Sequence, residues 1–304
     1  MDQICRDSPM RRFLRRRSAR GGLTLLAAIA TACLISLPWS LDRYDDSDLK
    51  VARRPPGPLG GFMGTDLLGR SLAMRVLLGG VVSLSVGAAA AAISVLIGVG
   101  WGLTAGWCGG RIDRVMMRVV DVLYGLPYIL LVILLKVALD DVMIRRLGWS
   151  VAGANLIILI VALSSVSWLT MARVIRGQVL SLRSRPFIDA ARVMGLPGWR
   201  IAWSHLLPNL VGPIVVYGTL TAPQAILQES FLSFLGIGIE RPTPSWGNLA
   251  ADGVSAVNNV ESFWWLLLFP CGVLTTTLLS LHFIGEGLRA AWDPSAHESP
   301  SRQA

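Results

Sequence analysis

Charged residues, and lysine above all, are scarce in this chain. Only 15% of its 304 residues are charged and 53% are hydrophobic, whereas soluble globular proteins carry about 25% charge. The two lysines, Lys50 and Lys136, are each followed by valine. A phosphate-binding loop needs a lysine followed by serine or threonine. The sequence therefore argues against a soluble domain and excludes ATP hydrolysis by such a loop.

Cysteine and histidine are also few, and neither forms a metal-binding pattern. The positions are Cys5, Cys33, Cys108 and Cys271, with His205, His282 and His297. Their wide spacing matches no disulfide framework and no zinc motif. We therefore predict no metal, no cofactor and no enzymatic activity.

Long uncharged runs dominate what remains. A helix of about 20 residues crosses a bilayer core, and four runs reach that length. They are 22–41, 76–110, 147–172 and 262–285. Two weaker candidates, 119–139 and 206–239, contain a few charges or prolines. We predict an all-α membrane protein with about six transmembrane helices.

The basic residues predict the orientation of these helices rather than a nucleic-acid partner. Arginine and lysine lie almost wholly in the connections between the helices. If the N-terminus is placed in the cytoplasm, the cytoplasmic connections carry about twice as many of these basic residues as the external ones, as membrane proteins usually do. Both termini are then cytoplasmic, and the first helix is retained because its run is long for a cleaved signal. We predict an N-terminal unit (1–75), a transmembrane domain (76–291) with a cytoplasmic loop at 173–208, and a tail (292–304).

The cytoplasmic loop is predicted to hold a helix of about nine residues. Pro186 suits its first turn, Asp189 favours the helix dipole, and Gly195 suits its end. Phe187, Ala190, Ala191 and Met194 follow helical spacing and are predicted to share one face. So short a helix is marginal alone in water. Its apolar face packs either on the chain's own helix ends, in the lipid interface, or in a groove of another protein.

The fifth helix is unusual because it is polar within a span. It contains three prolines, and Gln224 and Gln228 lie four residues apart beside Glu229. Polar groups at membrane depth are tolerated where they face protein or water. Gln224, Gln228 and Glu229 are therefore candidates for lining a transport pathway, and a structural hydrogen-bonding role is the alternative.

Several motifs, in order, resemble ABC importer permeases. Asp189-Ala190-Ala191, Gly195 and Leu207-Pro208 are similar to the Glu-Ala-Ala loop of that family, with aspartate replacing the usual glutamate. Further segments resemble the oligopeptide/dipeptide/nickel branch, namely 64–70, 173–178, 231–238, 242–247 and 285–289 with Asp293-Pro294. Segments 166–168 and 266–270 are most similar to the second membrane subunit of oligopeptide permeases. Ser71 and Ala290 depart from this pattern, since the family often has aspartate there.

The resemblance implies a type I ABC importer permease fold in a bacterial cytoplasmic membrane. It further implies a peptide-importing assembly with a homologous permease subunit, two cytoplasmic ATP-binding subunits and an extracytoplasmic substrate-binding protein. The ATPase-docking residues it implies are Phe187, Asp189, Ala190, Ala191, Met194 and Gly195. A secondary transporter or channel without an ATPase is the alternative. The choice among oligopeptides, dipeptides and nickel chelates stays open.

Overall fold

The computed structural model describes residues 9–58, 60–149, 151–257 and 262–292, so the predicted motif Asp293-Pro294 and most of the tail lie outside the described residues. The described part is helical and contains no named strand. Its helices are α1 Pro9–Arg15, α2 Arg17–Arg43, α3 Leu72–Cys108, α4 Gly110–Tyr124, α5 Tyr128–Asp140, α6 Val151–Arg183, α7 Pro186–Val193, α8 Gly198–Ile201, α9 Leu207–Phe234, α10 Trp246–Ala256 and α11 Trp264–Trp292. Short π-helical segments at 141–146 and 202–206 extend α5 and join α8 to α9.

Five helical rods are long and apolar enough to cross a membrane. They are Arg17–Arg43, Leu72–Cys108, Gly153–Arg183, Gly198–Phe234 and Trp264–Trp292. The predicted all-α membrane fold is confirmed.

The remaining predicted span, 119–139, is not one straight helix. The chain bends by 93° between α4 and the helix that follows it, so this pair counts as a sixth span only if it is taken as one broken element. Pro127 has φ −58° and ψ 115° at the start of α5, and proline disfavours helix in the residue before it. The apolar composition of this run concealed a break that Gly125-Leu126-Pro127 encodes.

The central helix pair, α3 and α6, packs closely through glycines. Gly98, Gly102 and Gly106 recur at every fourth position of α3. A Cβ at Gly102 would lie 2.5 Å from the carbonyl oxygen of Ala172, and one at Gly98 would lie 2.5 Å from the Cβ of Met171. Small residues at this spacing let two membrane helices approach at backbone distance. Gly100, on another side of α3, faces open space.

One end of the bundle, which we name the α10 end, carries a helix that the sequence pattern did not predict. Ser245 and Asn248 form a reciprocal capping box at the start of α10, a recognised N-terminal signal. Trp246 is fully buried and its Nε1 donates to the carbonyl oxygen of Val76, 3.0 Å away. Prolines and glycines nearby obscured this short, apolar element, which closes the bundle between α9, α11 and α3.

The segment between α2 and α3 is organised by one carboxylate at the same end. Asp66 accepts hydrogen bonds from the backbone N–H groups of Leu68 and Arg70 and lies 2.7 Å from both Arg70 Nε and Arg75 Nη1. Arg70 also reaches Asp45 at 3.0 Å. Burial lowers the pKa of Arg70, but its hydrogen bonds to Asp66 and Asp45 outweigh that effect and raise the pKa overall. Asp66 thus ties this segment, whose regular part is a 3₁₀ helix at Leu49–Val51, to the start of α3.

Candidate functional site

The loop helix α7 begins and ends at the residues that its sequence specifies. Pro186 occupies the first turn with Asp189. At the far end Gly195 has φ +77°. Its N–H donates to the carbonyl of Arg192 at 2.9 Å, and the N–H of Leu196 donates to that of Ala191 at 3.2 Å. These two bonds form a Schellman motif, which needs a left-handed residue such as glycine.

The apolar residues of α7 do not share one face, and this corrects our prediction. Ala191 is 1% exposed and lies with Ile188 in a cluster that includes Ile175 and Val179 of α6. This inner side anchors α7 to its own chain. Ala191 therefore faces its own chain rather than the exposed side of α7.

The opposite side of α7 is exposed and apolar. We name it the outer face and define it by four residues: Phe187, Ala190, Val193 and Met194. Val193 is 89% exposed and Met194 is 71% exposed. A contiguous exposed apolar patch is typical of a surface that meets another protein or the membrane.

An ion pair borders the outer face without covering it. Asp189 contacts Arg192 at 3.0 Å, and both side chains are largely in solvent. Such an exposed pair contributes about 0–1 kcal/mol to stability. The loop is held by Ile188 and Ala191 rather than by this pair, so Asp189 stays available for contacts outside the chain.

The bend between α4 and α5 opens a polar groove beside α6 and α9, with a volume of about 590 Å³. We name it the polar groove after the polar residues in its lining, which are Tyr124, Tyr128, Ser167, Thr170, Thr221, Gln224 and Gln228. The structure therefore brings the two predicted glutamines together. The Tyr128 hydroxyl and Gln228 Oε1 are buried without a hydrogen-bond partner among the described residues. Buried polar atoms ordinarily have partners, so the chain leaves two polar groups unsatisfied beside the groove.

Glu229, the third predicted pathway residue, lies on a different side of α9. Its carboxylate is 0% exposed and accepts hydrogen bonds from the hydroxyls of Ser83 at 2.8 Å and Ser233 at 2.7 Å. Ser83 also accepts from the backbone N–H of Trp246 at 3.3 Å. Glu229 thus joins α9, α3 and α10, which corrects its assignment to the pathway. The structural role that the sequence left open is the one the geometry supports.

Lys136, a second charge within the predicted span 119–139, has a local partner. Its ammonium is buried and lies 3.3 Å from the carbonyl oxygen of Gly238 and 3.3 Å from Glu240 Oε1. It therefore links α5 to the connection that follows α9. It does not line the polar groove.

These features define a class: a polytopic helical membrane protein with a solvent-exposed apolar loop helix and a polar groove between its spans. Residues 98–295 match the family described as binding-protein-dependent transport system inner membrane component, and the chain belongs to that family. It is an inner-membrane permease subunit of an ABC importer. ATP-hydrolysing and substrate-binding partners follow from this class in general.

Relatives and one solved structure agree with this assignment. The oligopeptide transport system permease protein OppC of Escherichia coli K12 is 43% identical over 285 residues, covering 93% of this chain and 89% of that protein. The dipeptide transport system permease protein DppC of Bacillus subtilis is 41% identical over 284 residues, covering 93% and 84%. The inward-facing MetNI methionine ABC transporter shares the fold with a TM-score of 0.53 at 17% identity, over 69% of this chain and 93% of that one. The predicted type I importer fold is confirmed.

Proposed function

We propose that this chain is the transmembrane permease subunit of an ATP-driven importer of oligo- or dipeptides. The observation that carries this proposal is the identity of 43% and 41% to oligopeptide and dipeptide permeases across 93% of the chain. The polar groove supports it, because its amide and hydroxyl groups are uncharged. Such groups suit the main-chain amides that all peptides share, whatever their side chains.

The outer face of α7 is the surface we assign to the ATPase. Its exposed apolar residues, with Asp189 and Gly195 at its margins, would insert into a groove of the partner as a short helix does. Burial of Met194, which is 71% exposed, would stabilise the complex by about 1.5–3 kcal/mol, and Phe187, already half-buried in the chain, would contribute less. The chain itself has no lysine in a phosphate-binding loop, so ATP is hydrolysed by two partner subunits.

The orientation follows from the charges at the two ends of the bundle. Arginines cluster at the end that carries α7, in the segments 111–118 and 173–200, and cytoplasmic connections carry such an excess. The α7 end and both termini are thus cytoplasmic. A substrate-binding protein meets the α10 end, and a homologous permease subunit packs against the polar groove to form the pathway.

Reconstitution tests the importer assignment against the alternative of a partner-independent transporter. We expect vesicles with the complete assembly to accumulate a labelled tripeptide only when ATP is supplied on the ATPase side. Vesicles with this chain alone should show no uptake under a proton or sodium gradient. Gradient-driven uptake by the chain alone would overturn the proposal, and uptake of a nickel chelate in place of peptide would overturn the substrate class.

Gln228 gives a test of the pathway. Gln228→Leu is expected to lower ATP-driven peptide uptake up to about tenfold, because a hydrogen bond of about 0.5–1.5 kcal/mol to the substrate is lost. The resistance of the chain to unfolding should not fall, since Oε1 has no partner in the described chain. Thr275→Val, which changes an exposed polar residue of α11 away from the groove, is the control. Unchanged uptake by Gln228→Leu would remove the polar groove from the pathway.

A further inference from the structure

A second groove lies at the α7 end between α3 and the α8–α9 rod, and it differs in chemistry from the polar groove. It has a volume of about 480 Å³ and no charged residue in its lining. The walls include Leu96, Val99, Leu103, Trp107, Trp203 and Leu207. We name it the tryptophan groove. Leu96 at its margin is largely exposed, so the groove opens on the outer surface of the bundle.

Tryptophans mark the mouth of this groove. Trp107 lies at the end of α3, while Trp199 and Trp203 stand at the start of the rod Gly198–Phe234, and the latter two are largely exposed. Trp107 lies against Gly198, where a Cβ would approach the indole Nε1 to 3.1 Å. Tryptophan is enriched where a membrane meets water. The mouth is therefore at headgroup level and the apolar body reaches toward the acyl chains.

Two guanidinium groups lie over these tryptophans. Arg192 Cζ is 5.4 Å from the ring centroid of Trp107, and Arg200 Cζ is 5.7 Å from that of Trp199. Asp189 contacts Arg192, and the Arg200 side chain is exposed. Cationic groups above an apolar cleft between membrane helices are complementary to an anionic lipid headgroup.

We propose that the tryptophan groove binds an anionic phospholipid, with an acyl chain in the groove and the phosphate beside Arg192 and Arg200. The proposal rests on the orientation given under the proposed function, which places this end in the cytoplasmic leaflet. The two guanidinium groups at the mouth favour a lipid over a helix of a partner subunit, which would otherwise suit the small residues Gly100, Thr104 and Ala202 in the same lining. Since Arg192 belongs to α7 and Trp107 to α3, the headgroup would bridge the ATPase-docking loop and the spans.

Native mass spectrometry of the full chain, released from nanodiscs of phosphatidylglycerol or phosphatidylcholine, tests the site. The unchanged chain should retain one phosphatidylglycerol and little phosphatidylcholine. Arg192→Gln and Arg200→Gln should each weaken phosphatidylglycerol retention by roughly fivefold, as expected for one cation near a membrane surface. Arg118→Gln, on α4 at the same end, is the control and should have no effect.

The acyl-chain part of the site is tested by filling the groove. Gly100 lines the groove, and a Cβ added there would meet no atom within 4 Å, so Gly100→Leu should fold and block lipid retention. Gly272→Leu, equally open on α11, should retain the lipid. Equal retention of both headgroups, or retention by Gly100→Leu, would overturn the site.

The competing occupant, a helix of the homologous permease, has its own test. A photocrosslinker placed at Leu96 should label lipid in the assembled importer, because Leu96 lies at the open margin of the groove. Capture of the homologous permease would overturn the proposal and identify a protein helix as the occupant. The mass-spectrometric measurements need no ATP, so their failure is separate from a failure of the importer assignment.

Discussion

Replacing Ala190 by glutamate is expected to abolish ATP-driven peptide uptake while the chain stays folded and inserted. Ala190 lies on the outer face of α7 and is exposed, so the new carboxylate contacts water in the isolated subunit. In the assembled importer the same carboxylate would be buried against the ATPase. An unpaired buried charge costs about 3–5 kcal/mol, which is enough to separate the two subunits.

Co-purification of the ATPase with the tagged permease, measured beside uptake in vesicles, checks this result. Ser181→Glu is the matched control, because it adds the same charge to an exposed position at the end of α6. Ser181→Glu should retain both the ATPase and uptake. If Ala190→Glu keeps the ATPase bound and transports peptide at the normal rate, the outer face is not the docking surface.

Ala191→Glu should behave differently, although the two alanines are adjacent. Ala191 is packed with Ile188 against α6, so its replacement inserts a charge into the chain's own core. The expected outcome is loss of the α7 structure and a less stable protein, rather than a folded subunit that fails to bind. The sequence could not separate the alanines, because helical periodicity predicts which residues share an arc and not which side of a wide apolar arc faces inward.

The same limit explains the outcome for the pathway residues. Gln228 and Glu229 are neighbours in sequence, but consecutive helical positions are turned by about 100°. Gln228 therefore lines the polar groove while Glu229 points to Ser83 and Ser233. The serines that surround Glu229 come from different elements, and no local pattern brings Ser83 of α3 beside α9. Only the tertiary packing reveals that hydrogen-bonded group.

The membrane spans could be predicted more fully than the docking and pathway residues, because the thickness of the bilayer sets the length that an uncharged run needs to cross it. The exceptions are local. Gly125-Leu126-Pro127 breaks a run whose composition alone indicates one helix. The short helix α10 has too few residues to stand out from a loop, and its capping box at Ser245 was the available signal. Short-range breaks and caps thus shape the polar groove and the closed α10 end.

The α10 end supplies the second large effect. Asp66→Ala is expected to destabilise the chain by about 3–5 kcal/mol, because it leaves the guanidinium of Arg75 as a buried charge without its nearest partner. Arg75 is 1% exposed, and its remaining acid, Asp252, is 3.6 Å away. Asp66 also holds the backbone N–H groups of Leu68 and Arg70. Unfolding in mixed micelles with increasing sodium dodecyl sulfate measures the difference.

Two further variants distinguish the effect of stranding the buried Arg75 charge from the effect of removing any acidic side chain in this segment. Asp45→Ala removes the more exposed partner of Arg70 and should cost at most about 1 kcal/mol, as exposed pairs do. The double variant Asp66→Ala with Arg75→Met should recover part of the loss, because it removes the charge that the single variant strands. The free energy of unfolding of Arg75→Met alone completes the comparison. If the losses of the two single variants simply added in the double variant, Asp66 and Arg75 would act independently. The connection between α2 and α3 would then depend on the backbone hydrogen bonds of Asp66 rather than on its contact with Arg75.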